Sequence, residues 1–126
     1  MSRPRSWFSI TSRRARSAPA ADEAWRSDWE SLDTEKYLGH YSKRFQSGSQ
    51  NIEQWSAQKR QVNAAKQWIK VGAANISMFR NPGKEEMVVV TFDQDYRSSN
   101  LSNVMKKRQY WMKEDGAWKI VYEGGA

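Results

Sequence analysis

The sequence predicts an α+β domain in which three N-terminal helices pack on a strongly curved antiparallel sheet of four strands. Three observations carry this. Apolar residues recur with a helical period from Asp22 to about Lys66 and with a period of two from Trp68 onward, and the two patterns do not interleave. Helices confined to the first half and strands to the second exclude a parallel βαβ sheet, which leaves helices layered on one face of an antiparallel one. Trp25, Trp29, Trp55, Trp68, Trp111 and Trp118 are many indoles for so small a core. Rings of that size fill the irregular space that a bent sheet wrapped round a helix creates.

The first helix is expected over Asp22–Leu32, where Trp25, Trp29 and Leu32 share a face and the acids Asp22 and Glu23 sit in the first turn. Asp33 or Thr34 then serves as an N-cap, and Tyr37, Leu38, Tyr41 and Phe45 predict a second helix running to about Ser47. Turn chemistry at Gly48–Asn51 precedes a third helix, in which Ile52, Trp55 and Val62 form the apolar stripe. Lys59 lies on that stripe, either as a stem covering apolar surface with its ammonium at the rim or as a buried functional lysine.

The strands follow as Trp68–Phe79, Glu86–Arg97, Val104–Lys113 and Ala117–Glu123. Asn81-Pro82-Gly83 and Asp115-Gly116 mark turns, and Ser98–Asn103 reads as a polar connection, so the sheet is a meander. On the second strand Val88, Val90, Phe92, Gln94 and Tyr96 take one face and Met87, Val89, Thr91, Asp93 and Asp95 the other. On the third, Lys107, Gln109 and Trp111 oppose Lys106, Arg108, Tyr110 and Met112; the size of Trp111 aims the first set inward, and the opposite choice stays open. On the last, Trp118, Ile120 and Tyr122 alternate with Lys119, Val121 and Glu123, which makes Glu123 either a pocket carboxylate or a solvent-facing acid paired with a lysine.

Charge and composition narrow the function classes. The chain carries a net +7 over 126 residues, but residues 1–20 hold five arginines and no acid, leaving 16 basic against 14 acidic residues afterwards. A near-neutral domain behind a basic leader gives little support to nucleic-acid binding, because the charge that drives counterion release lies outside it. Residues 1–21 read as a disordered leader or linker and 22–126 as the domain. No run of 7–15 consecutive apolar residues marks an export signal or a membrane span, so no membrane insertion is expected. With no cysteine there is no disulfide, no zinc ribbon and no thiol nucleophile. A single histidine, His40, off the aromatic face of its helix, and acids without a calcium-loop spacing predict no metal and no cofactor.

The order of elements, ending in Gly116-Ala117-Trp118-Lys119-Ile120, resembles the nuclear transport factor 2-like (cystatin-like cone) superfamily. More narrowly, Trp25 and Trp29, then Tyr37, Tyr41 and Phe45 at four-residue spacing, Trp55, Phe92-x-Gln94-x-Tyr96-x-Ser98, Lys107 and Trp118-Lys119-Ile120 resemble the C-terminal accessory domain of bacterial L,D-transpeptidase and L,D-carboxypeptidase proteins. The resemblance implies a domain appended to a separate peptidoglycan-processing domain that works through a catalytic cysteine. This chain has no cysteine, so it does not itself carry out that chemistry. It further implies a periplasmic or cell-envelope setting, with a peptidoglycan peptide or a wall-processing enzyme as partner.

The cone fold implies a pocket between the concave sheet face and the helices, and Tyr37, Tyr41, Gln94, Tyr96, Lys107 and Trp111 are its expected lining. Gln94 and Tyr96 can hydrogen-bond a ligand amide or carboxylate, or can satisfy backbone groups at the sheet's edge. Asp93 and Asp95 face away from them. The expected function is noncatalytic ligand or partner binding. Two alternatives stand beside it: a small enzyme of the ketosteroid isomerase or SnoaL-like type with an acid such as Asp33 or Glu123 as base, and homodimerisation through the exposed sheet face.

Overall fold

The computed structural model describes residues 19–81 and 86–126. The basic leader lies outside the described residues except for its last three positions, and the Asn81-Pro82-Gly83 turn likewise falls largely outside them. Helix α1 covers residues 19–30, α2 is Thr34–Leu38 and α3 is Ile52–Ala64. A two-stranded ribbon, β1 (Gln46–Ser47) with β2 (Gln50–Asn51), leads into α3. The main sheet is β3 (Ile69–Asn81), β4 (Met87–Ser98), β5 (Ser102–Glu114) and β6 (Ala117–Gly125), antiparallel throughout in the order β3-β4-β5-β6. This is the expected α+β meander with helices on one face.

Local chemistry fixes the element ends. Asp33 caps α2, its carboxylate accepting the Lys36 N–H at 3.2 Å. Asn51 and Gln54 form a reciprocal capping box at the start of α3, each side chain accepting the other residue's backbone N–H at 2.9 and 3.0 Å. Asp115 (φ 51°) and Gly116 (φ 83°) supply the two positive-φ positions of a tight β5–β6 hairpin.

The second helix is much shorter than its spacing predicts. It ends at Leu38, with Gly39 as its C-cap. The chain then pairs with β6: Ser42 N–H donates to the Ile120 carbonyl and Ile120 N–H to that of His40, both at 2.8 Å. Tyr41 and Phe45 still reach the core, stacked edge-on at 5.2 Å. Helical spacing was satisfied by a non-local strand contact instead of a helix.

Two bulges bend the sheet. On β3 the register shifts between Ala74 and Ser77, with Asn75 in the left-handed region at φ 53°. On β6 the pairing steps from Tyr110↔Tyr122 to Trp111↔Ile120, so Val121 is the extra residue. The core lies between the concave sheet face and the helices, built from Trp25, Trp29, Tyr37, Trp55, Phe92 and Trp111 with their aliphatic neighbours. Burial along β4 alternates as read, with Val88, Val90, Phe92, Gln94 and Tyr96 inside.

Candidate functional site

The extra residue Val121 sets up the site. Regular alternation from Trp118 turns Glu123 outward; the bulge shifts the phase so that Glu123 joins Trp118 and Ile120 on the inner face, 2% exposed. The solvent-facing reading of Glu123 is thereby corrected, and Tyr122 goes to the outer face, where it packs on Tyr110 at 4.9 Å. Across the β5–β6 ladder Glu123 stands opposite Gln109. One carboxylate oxygen accepts from Tyr41 Oη at 2.7 Å and Gln109 Nε2 at 2.9 Å, and the other accepts from Lys107 Nζ at 2.8 Å.

Around this carboxylate the hydrogen bonds have a single consistent direction. Tyr41 commits its one hydroxyl proton to Glu123, so at the Tyr41 oxygen Trp25 Nε1 donates at 3.0 Å and Tyr37 Oη donates at 3.2 Å. Gln109 Oε1 in turn accepts from Trp111 Nε1 at 3.1 Å. Burial alone pushes the Glu123 pKa up, but the Lys107 and Lys59 ammoniums and the hydrogen bonds outweigh it and hold the carboxyl below its ordinary range. Burial, with the Glu123 charge beside them, pushes the Tyr37 and Tyr41 phenols well up, so both stay protonated.

Beside this network lies a pocket of about 180 Å³ between α3, the end of β4 and the start of β5. Its apolar wall includes Trp29, Val62, Tyr96, Leu101 and Met105, and its polar groups are Lys59, Asn63, Lys66, Gln94, Asn103 and Lys107. The Lys59 ammonium sits 4.5 Å from the Trp55 ring centre and 5.9 Å from that of Trp29; burial lowers its pKa. Lys66 lies 5.9 Å over Tyr96 and donates to Asn100. Lys107 is the shared member, lining the pocket, bonding Glu123, and lying 5.4 Å from the Trp29 ring centre. Gln94 Oε1 and Trp29 Nε1 are buried polar atoms with no hydrogen-bond partner, an acceptor and a donor among the same lining residues.

Of the six residues read from the sequence, Gln94, Tyr96 and Lys107 line this pocket. Tyr37, Tyr41 and Trp111 do not: they are buried behind it, Tyr41 bonded to Glu123 directly, Tyr37 through Tyr41 and Trp111 through Gln109. Sequence reasoning left out Lys66, Asn63 and the Leu101–Met105 wall, and took Trp29 as plain core. Lys59 did carry a signal, a cation on an apolar helical stripe. Asp93 and Asp95 face outward, bonded to Asn75 and Lys106 and to Arg97. His40 Nε2 lies 2.7 Å from Asp28 Oδ2, away from the pocket. Among the described residues no group of three or more His, Asp or Glu side chains is placed to hold a metal, and no helix is long and apolar enough to cross a membrane.

The model of one protein family, the Cds6 C-terminal NTF2-like domain, matches residues 20–124. The chain belongs to that family. A search of curated protein sequences finds no match. Among solved structures, the chain is similar to Bd1075 of Bdellovibrio bacteriovorus, with a TM-score of 0.82 and 25% identity over 94% of this chain and 42% of that one. It is similar to Pgp2, the helical cell shape determining protein of Campylobacter jejuni, with a TM-score of 0.71 and 25% identity over 83% of this chain and 38% of that one. A proposed dehydratase of the NTF2-like family from Streptomyces avermitilis has a TM-score of 0.72 over 86% of this chain and 92% of its own; at 8% identity it shares the fold alone. This NTF2-like domain therefore spans about two fifths of the length of Bd1075 and Pgp2.

Proposed function

We propose that this NTF2-like domain is a noncatalytic binding module that takes the peptide part of peptidoglycan into the pocket between α3, β4 and β5. The observation that carries the reading is the pairing of two unsatisfied buried atoms, Gln94 Oε1 and Trp29 Nε1, with two ammoniums, Lys59 and Lys66, that have no carboxylate in ion-pair range among the described residues. An amide supplies both the donor and the acceptor that Gln94 and Trp29 lack, and a carboxylate neutralises the lysines. A short peptide with a free carboxyl end has all three groups. The Trp29 and Tyr96 rings add apolar walls.

Similarity to a cell-shape determining protein of which this chain spans only part supports a wall-associated accessory role. The binding reading also fits the state of the acids. Asp33 caps α2 at the surface, and Glu123 is ionised and bonded on both oxygens, so neither is disposed as a general base.

Calorimetric titration with a purified disaccharide-tetrapeptide muropeptide tests the proposal. Saturable binding is expected, weakened roughly tenfold or more by Lys59→Ala, which removes a charge-assisted contact of about 1.5–3 kcal/mol. No heat and no change on substitution would sink it.

A further inference from the structure

Lys59 and Lys66 stand at two ends of the pocket. They are seven residues apart on α3 and the turn that continues it, where the Ala65 and Lys66 N–H groups donate to the Val62 and Asn63 carbonyls at 3.2 and 3.1 Å. Seven residues make nearly two helical turns, so both side chains leave one face of the helix with their Cα atoms about 10 Å apart along its axis. Aromatic rings keep the two ammoniums separate. Lys59 Nζ lies over Trp55 and Trp29, whereas Lys66 Nζ lies over Tyr96 and donates to Asn100. Lys107, the third ammonium of the lining, is already committed to Glu123.

Amide-type groups accompany the two free cations. Asn63, 5% exposed, is four residues from Lys59 and three from Lys66 and so lies on the same helix face between them. With it in the lining are Gln94 Oε1 and Trp29 Nε1, the buried acceptor and donor that have no hydrogen-bond partner. The pocket thus offers a cation, partners for an amide, and a second cation.

We infer that the site takes a short peptide bearing two free carboxylates, one on each side of an amide, and that it rejects the same peptide once either carboxylate is amidated. This rests on the peptide-binding reading of the pocket and adds to it the number and spacing of the charges. A γ-glutamyl dipeptide has the required order. Seven bonds separate its two carboxylate carbons, roughly 9 Å when extended, and the amide lies midway. Each carboxylate reaches one lysine as a charge-assisted contact, while the amide between them meets Gln94 and Trp29. An ordinary dipeptide with only its terminal carboxyl reaches one lysine. The module therefore distinguishes peptides with both carboxylates free from those in which one has been consumed by amidation or by a cross-link.

The probe is N-acetyl-γ-glutamylalanine, titrated into the whole chain and followed by NMR at the lysine ε-methylene groups. It is compared with its glutamyl α-carboxamide, its C-terminal amide, and succinate, a diacid whose charges lie too close together to reach both lysines. The dipeptide is expected to bind at least tenfold more tightly than each of the three and to shift the Lys59 and Lys66 signals together. Lys59→Met and Lys66→Met keep an apolar stem in place, and each is expected to weaken dipeptide binding at least tenfold. Removing a lysine and the carboxylate it meets should not be additive, so each monoamide loses its sensitivity to one of the two variants. The wild-type comparison decides the matter even if a variant fails to fold. Equal affinity for the dipeptide and either monoamide would overturn the inference, as would succinate binding as tightly, which marks simple anion capture. A dipeptide that fails to bind where the muropeptide binds would overturn it too, and in all three cases muropeptide binding leaves the peptide reading standing. Binding of neither compound overturns both.

Discussion

Replacing Glu123 with glutamine keeps the shape of the side chain and removes its charge. The amide offers one acceptor oxygen where the carboxylate has two, and its NH₂ must face Lys107 or the pair formed by Tyr41 and Gln109, both of which donate in the native structure. Lys107, whose side chain is 7% exposed, is then left buried without its counter-ion. Removing one partner of a buried pair costs about 3–5 kcal/mol, against a total of about 5–15 kcal/mol for a domain of this kind. Urea unfolding followed by tryptophan fluorescence measures it. The double variant Glu123→Gln/Lys107→Met removes both charges and is expected to recover more than half of the loss. A single-variant cost below about 1 kcal/mol, or a double variant whose cost is the sum of the two singles, would refute the claim that this pair organises the interior.

Asp22 gives a pH signature of the opposite sign. It is 1% exposed, one of its oxygens has no partner, and burial lifts its pKa to about 6, with Arg26, 3.6 Å away, pulling it down and Glu123 pushing it up. The folded state thus binds this proton more tightly than the unfolded one, so Asp22 lowers stability as pH rises from about 4 to 6, by up to about 3 kcal/mol. Asp22→Asn should raise stability at pH 7 and flatten that slope, while Glu123, shifted downward, still destabilises the fold as pH falls below its unfolded value; an unchanged slope would contradict the assignment. At the β3 bulge, Asn75→Gly should be nearly neutral and Asn75→Val should cost about 1–2 kcal/mol by thermal melting, because a β-branched residue is strained at φ 53°. Arg60→Ala, which breaks the exposed pair with Glu35, should leave the urea midpoint unmoved.

Strand β4 was legible because it is regular: each side chain faces the core or the outer surface, and the pattern from Val88 to Tyr96 states which. The same reasoning failed on β6, where nothing in Ile120-Val121-Tyr122-Glu123 announces an inserted residue, and one bulge decides whether a glutamate is solvated or central. The second helix was overread because Tyr37, Tyr41 and Phe45 are spaced as a helical face while the backbone bonds of His40 and Ser42 go to Ile120, far along the chain. Half of the pocket escaped notice for a related reason. Leu101 and Asn103 belong to a stretch that composition marks as a connection, yet the structure carries β5 back to Ser102 and makes Leu101–Met105 one wall. Lys59 was visible as a cation on an apolar stripe, but its distance from two indoles required the fold.

The central claim is that Gln94, Trp29 and Lys59 form one binding site for a peptide carrying a carboxylate. An NMR titration with a disaccharide-tetrapeptide muropeptide, set against the same compound with its peptide carboxylates amidated, tests it most directly. The prediction is that the Trp29 indole N–H and the Gln94 side-chain amide shift on addition of the native compound and that the amidated one binds at least tenfold more weakly. Equal binding of the two, or shifts that leave both groups untouched, would contradict it.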